Sequence, residues 1–304
     1  MPLQRLAEFN HYFLALLFLF FGVSLPASAE DSVDFAVIQQ HARFAAAAYQ
    51  PQDQVRDLVE SENFELGLYH TLTDLQMSFY VATNDSTKTL FIAVRGTSNV
   101  ENAMVDIALK LLPDEKTGAR LHQGFSYAAK RIYAELKPLV VADYKIHTTG
   151  HSLGGAVALI LAMYLDADSF NIEQVVTFGQ PKVTNLPGAT KFQHINVIRV
   201  VTPDDLVPLV PPFDPLDLKN LDIYWHAGKE VILLDDNQYA VLEGADSMLR
   251  ATRFTQKPLH EDNLKNHYMQ LYLDRVRAKL KSPEQVPYRN TFNLFNLFGN
   301  DPES

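Results

Sequence analysis

The chain has 304 residues, 47% of them hydrophobic and 20% charged, a composition that excludes disordered, collagenous and fibrous proteins. Lys and Arg number 26 against 36 Asp and Glu, a formal charge of −10, which argues against nucleic acid as a partner. There is no cysteine, so disulfides, thiolate metal sites and a cysteine nucleophile are excluded.

Residues 12–25, YFLALLFLFFGVSL, form an apolar run of 14 residues behind Arg5, followed by Ala27-Ser28-Ala29. A basic start, a short apolar run and a small-x-small site predict a secretory signal peptide at 1–29. The run is shorter than the roughly 20 residues a membrane span needs, and Pro26 closes it. The expectation is an exported chain, secreted or periplasmic, with no transmembrane segment once the signal is cleaved. Beyond it there is no linker and no fixed repeat. One domain is predicted at 30–282, followed by a tail at 283–304 that is richer in Pro and Asn.

Along that domain the pattern alternates. Residues 35–49 read as an Ala-rich helix, 77–82 and 89–94 as strands joined by a polar turn, and 122–137 as a helix ending at Pro138. Residues 145–149 read as a short strand and 153–165 as a helix apolar on all sides, hence buried. Residues 174–178 and 196–201 read as buried strands, 221–234 as one or two more, and 267–280 as a last amphipathic helix. Strands alternating with helices predict an α/β fold with a mostly parallel sheet and helices on both faces.

The densest chemical signal is Gly150-His151-Ser152-Leu153-Gly154-Gly155, between the strand at 145–149 and the buried helix. A serine on so sharp a turn projects at the carboxyl edge of the sheet, and the glycines at 150 and 154 let helix and strand approach closely. The N–H of Leu153, at the start of the helix, can receive the oxyanion formed when Ser152 attacks an ester carbonyl. A serine nucleophile needs a histidine, and the histidine an orienting carboxylate, in the chain order Ser, acid, His. The strand at 196–201 runs into Asp204 and Asp205, either of which can supply the acid. Among the histidines beyond, His226 lies in a strand-like run, His260 in a polar loop, and His267 at a loop-to-helix junction suited to aim an imidazole across the sheet edge. His267 is the preferred base and His260 the alternative, while His122 and His151 read as structural or solvated. A second oxyanion donor is expected after the strand at 89–94, where Arg95-Gly96-Thr97 offers the backbone N–H of Thr97. Residues 98–112 have Met104, Ile107, Ala108 and Leu111 at helical spacing, either an ordinary surface helix or a lid over an acyl pocket.

Taken together these residues resemble the class 3 lipases of the α/β-hydrolase superfamily, over roughly residues 35–280. The resemblance is carried by Phe91-Ile92-Ala93-Val94-Arg95-Gly96-Thr97, Leu121-His122-Gln123-Gly124-Phe125, the GHSLGG turn, Thr177-Phe178-Gly179-Gln180-Pro181-Lys182-Val183, Asp205-Leu206-Val207-Pro208, and His267-Tyr268. It implies an α/β-hydrolase fold, a Ser152–Asp205–His267 triad, and Thr97 and Leu153 as oxyanion donors. The family's Asp-x-Val-Pro pattern selects Asp205 over Asp204. The chain departs from some fungal members in its only tryptophan, Trp225, and in having no disulfide. The implied activity is hydrolysis of lipid esters, triacylglycerols foremost, with phospholipase A1-type and short-chain or feruloyl-type esterases as alternatives on the same triad. An inactive binding scaffold is the reading from a different class. The partner is an ester substrate, at a lipid–water interface where it is insoluble. No metal or organic cofactor is required. The tail Phe292-Asn293-Leu294-Phe295-Asn296-Leu297-Phe298 is expected to cover an apolar groove or to touch lipid.

Overall fold

The computed structural model describes residues 33–97, 110–211, 223–251 and 265–288. The predicted signal peptide, most of the helix at 98–112, His260 and the Phe/Asn-rich tail lie outside these residues. The chain divides into Met1–Asp34 and Phe35–Ser304, and the elements below belong to the second unit. Among the described residues no helix is long and apolar enough to cross a membrane.

Among the described residues nine strands form one sheet: β1 Glu65–Leu72, β2 Met77–Asn84, β3 Thr89–Val94, β4 Lys145–His151, β5 Ile172–Phe178, β6 Val197–Val201, β7 Lys229–Leu233, β8 Gln238–Leu242 and β9 Glu284–Gln285. Their order in space is their order in the chain. β1–β2 and β2–β3 pair antiparallel. From β3 to β7 every pairing is parallel. A small second sheet joins Leu111–Asp114, Ala119–His122, Thr184–Asn185 and Tyr224–Trp225.

β3 shows why the sheet is covered on both sides. Side chains alternate along a strand, and here both sets are buried. Leu90, Ile92 and Val94 join a core with the helix Leu153–Ala167. Phe91 and Ala93 join another with Phe44 and Ala47 of the helix Phe35–Ala47. Gly154 through Leu165 are all buried, as an apolar run with no polar face demands. The predicted helix at 267–280 is found as Met269–Ala278, preceded by a 3-10 turn at Lys265–His267. The run at 221–234 resolves into Tyr224–Trp225 and β7, in different sheets. The structure adds elements not anticipated from sequence: the helix Gln52–Ser61, β1, β8 and the helix Gly244–Ala251.

Two histidines, His41 in the helix Phe35–Ala47 and His122 at the start of the helix Gln123–Leu136, are buried on different sides of the fold. His41 is fully buried, with Nδ1 2.8 Å from the Val37 carbonyl and Nε2 3.3 Å from His147 Nδ1. Burial, then the neighbouring His147, lower its pKa to about 3. His122, 2% exposed and accepting the Phe125 N–H at its helix start, is lowered to about 4 by burial. Both rings are neutral in the folded protein but take up protons near pH 6.5 when unfolded. Stability is therefore fully present above that pH and is lost as pH falls from about 6.5 toward 4, by about 1.4 kcal/mol per pH unit for each ring. Urea unfolding at pH 7.5 and pH 5 is expected to show this loss, and His41→Leu to flatten it. A level profile in the native sequence would contradict neutral burial of these rings.

Candidate active site

Parallel pairing brings the ends of β3, β4, β5 and β6 to one edge, with Val94 beside Gly150, His151 beside Phe178 and Phe178 beside Val200. Chain segments leaving these strands meet there, as ligand sites do in such sheets. Ser152 follows β4 directly and starts the helix Leu153–Ala167 with φ 59° and ψ −133°, a left-handed conformation costly for a residue with a Cβ. Its backbone N–H bonds the Phe178 carbonyl at 2.8 Å. A Cβ on Gly150 would stand 2.5 Å from the Gly154 carbonyl, and one on Gly154 would run into the Val94 carbonyl. That close crossing of strand and helix is what bends the chain at Ser152. Leu153 opens the helix, so its N–H has no partner within it. Gly96 lies against Ser152, since a Cβ there would be 3.0 Å from the Ser152 Cβ. Thr97 is the next residue along.

The strand β6 leads into Asp204 and Asp205. Asp204 is exposed and Asp205 is fully buried. His267 Nδ1 lies 2.7 Å from Asp205 Oδ2, the Tyr272 hydroxyl donates to the same oxygen at 2.5 Å, and the Val207 N–H donates to Oδ1 at 2.9 Å. Three donors on one buried carboxylate satisfy both its oxygens and fix its orientation. Burial, and then Asp205 itself, push the Tyr272 phenol well above 10, so it remains a donor. The Thr202 hydroxyl bonds the Asn266 carbonyl at 2.9 Å, tying the acid's loop to the turn that carries the histidine.

Gly179 joins these parts. It follows Phe178, has φ +57°, and a Cβ on it would stand 2.7 Å from His267 Cε1 and 2.9 Å from Asp205 Oδ2. Only glycine gives both the turn and the room. Ser152 is thus one backbone hydrogen bond and one residue away from the His267–Asp205 pair. Ser152 Oγ and His267 Nε2 are both sealed from solvent and hydrogen-bond nothing among the described residues. A hydroxyl and a ring nitrogen without partners are costly in a folded interior, and they are complementary, one able to donate and the other to accept.

Behind Asp205 lies a buried ionic set. Arg199 on β6 stands opposite Glu230 on β7. Glu230 receives Arg250 Nη1 at 2.7 Å and the Ser247 hydroxyl at 2.5 Å, and Arg199 Nη2 donates to Ser247 at 2.8 Å. Arg250 Nη2 donates to the Thr202 carbonyl at 2.9 Å, bracing the loop that presents Asp205. His226 Nε2 is 2.7 Å from the Pro208 carbonyl on the other side of that loop.

Residues 91–214 match the family model described as Lipase (class 3). The chain is 36% identical over 142 residues to secreted mono- and diacylglycerol lipase 1 of Fusarium solani, covering 44% of this chain and 42% of that protein. The match to the family model spans the strands and turns that carry Ser152 and Asp205. Lipase II from Rhizopus niveus superposes with a TM-score of 0.56 at 27% identity, over 66% of this chain and 82% of that one. A triacylglycerol lipase whose catalytic centre is a serine protease triad superposes with a TM-score of 0.56 at 26% identity, over 69% and 83%. The fold is that of the α/β-hydrolases, as the sequence pattern and resemblance implied. The chain spans about two fifths of the length of the curated relatives it matches.

The stretch that matches the family model holds Ser152, Leu153, Thr97 and Asp205, and His267 lies beyond it. Of the five residues singled out in the sequence, Asp205 and His267 are hydrogen-bonded, Ser152 is linked to them through Phe178 and Gly179, Leu153 follows Ser152, and Thr97 follows Gly96, which lies against Ser152. The structure also brings in three that were not given a part: Tyr272, whose only sequence mark is its apolar spacing in the last helix, and Tyr49 and His151.

Proposed function

We propose that this protein is an exported serine hydrolase of lipid carboxylic esters, with acylglycerols as its substrates. The observation that carries the reading is the buried Asp205–His267 pair, one residue from the carbonyl that holds the bent Ser152, with the serine hydroxyl and His267 Nε2 both buried and lacking partners among the described residues. Its similarity to a mono- and diacylglycerol lipase and to a triacylglycerol lipase points to acylglycerols.

Ser152 Oγ attacks the ester carbonyl as its proton passes to His267 Nε2. Asp205, held by Tyr272 and Val207, keeps the Nδ1–H tautomer and stabilises the imidazolium. The N–H groups of Leu153 and Thr97 receive the oxyanion. Collapse of the tetrahedral species breaks the ester C–O bond, and Nε2 returns the proton to the departing alcohol. Water then attacks the acyl-serine with the same base, releasing the fatty acid.

A fluorophosphonate probe is expected to label Ser152 alone, and Ser152→Ala to abolish both labelling and ester turnover. Full hydrolysis by the alanine variant would end this reading. Rates on triolein, diolein, monoolein and phosphatidylcholine, measured side by side, decide the substrate class: preference for the phospholipid would replace acylglycerols with the phospholipase A1 alternative.

A further inference from the structure

His151, the residue before the nucleophile, has no part in the steps above, and yet both its ring nitrogens are engaged. Nε2 lies 2.6 Å from the backbone carbonyl of His267 and Nδ1 2.8 Å from the hydroxyl of Tyr49. The roles follow from chemistry. A carbonyl oxygen only accepts, so Nε2 carries the hydrogen. The neutral ring then has a bare Nδ1, so the Tyr49 O–H donates to it. His151 is 4% exposed and its ring packs on that of His267 at a centroid distance of 4.5 Å. Burial and the neighbouring His267 hold its pKa well below 6.5, so this tautomer persists and no second charge competes with an imidazolium at His267. The Tyr49 oxygen is bonded in turn by the backbone of Gly96, and a Cβ on Gly96 would stand 2.6 Å from it. One line of contacts therefore runs from the segment after β3, through Tyr49 and His151, to the main chain of His267.

We propose that Tyr49 and His151 are positioning residues: their hydrogen-bonded strut sets the distance between the His267 ring, Ser152 and the Gly96–Thr97 donor segment. Their effect is exerted through His267 and Gly96 and not by touching substrate. This rests on the hydrolase reading above. Misplacement of a reacting group by about 1 Å costs on the order of 10² in rate, whereas binding of the substrate's remote parts does not depend on the strut. Loss is expected in kcat, with KM unchanged.

The test uses the full chain and a soluble short-chain nitrophenyl ester, with the fluorophosphonate labelling rate as a second readout. His151→Leu keeps volume and removes both polar atoms. It is expected to lower kcat and the labelling rate together, by about 10²-fold, at unchanged KM. His151→Gln restores one donor and one acceptor and is expected to recover most of that loss. Tyr49→Phe is expected to lose about tenfold in the native background and nothing further beside His151→Leu, because coupled groups fail together. Equal defects in the Leu and Gln variants, an additive Tyr49→Phe, or losses confined to KM would overturn the strut. If His151→Leu does not fold, Tyr49→Phe decides by itself, and native kcat there overturns the proposal. A native protein that takes no label at Ser152 overturns the hydrolase reading instead.

Discussion

Asp205→Asn is expected to lower kcat by about 10⁴-fold while leaving the fold and KM in place. The carboxylate meets three donors with two oxygens: His267 Nδ1–H and Tyr272 O–H at Oδ2, and Val207 N–H at Oδ1. An amide has one oxygen. If it keeps the His267 and Tyr272 bonds, its NH₂ faces the Val207 N–H. If it turns round, the NH₂ faces His267, favouring the tautomer that places the hydrogen on Nε2, where a base must be bare. In either case the full negative charge that stabilises the imidazolium is gone. Steady-state rates on a soluble ester, with a melting curve as control, check this. A well-folded variant that loses less than about tenfold would remove Asp205 from the mechanism.

Glu230→Gln is expected to give the largest loss of stability. It leaves Arg199 and Arg250, each no more than 2% exposed, without their shared carboxylate. Removing one member of such a buried set costs about 3–5 kcal/mol, because the remaining charge stays desolvated. For a domain of this size each kcal/mol moves the midpoint by about 2–4 °C, so a melting temperature about 10 °C lower is expected. The double change Glu230→Leu with Arg250→Met removes charge of both signs and is expected to be milder than Glu230→Gln. Urea unfolding of the two variants decides. A single variant within about 1 kcal/mol of the native protein would show that the set contributes little. Because Arg250 also carries the Thr202 carbonyl, some activity is expected to fall with it.

The bent Ser152 turn was legible because its requirements are local. A bent serine between strand and helix needs small residues within two positions on either side, so the whole constraint fits in GHSLGG. The buried helix after it was legible for a similar reason, since a run with no polar face has nowhere to go but the interior. The carboxylate that meets His267 was only half legible. Asp204 and Asp205 are adjacent and of one type, and the residues alone left both open; the Asp-x-Val-Pro likeness pointed to Asp205, and burial separates them. The strut was not legible. Tyr49, Gly96, His151 and His267 are spread over more than 200 positions, and a lone tyrosine after an Ala-rich helix carries no pattern. β1 escaped notice because much of it is exposed at the sheet edge, and the two-residue strands are too short for any periodicity. The helix Gln52–Ser61 could have been found, for Val55 and Val59 are its buried pair one turn apart behind Pro51.

The sheet's spatial order bears on how the protein is made. Each strand settles beside the one before it, so a chain emerging from the ribosome can extend the sheet by its newest edge without reopening what is already paired. The bent serine is laid down midway, its carboxylate some fifty residues later and its base last. A nascent polypeptide halted short of residue 265 would hold Ser152 and Asp205 without His267. On the proposed hydrolase reading, the order of translation withholds reactivity until late in synthesis.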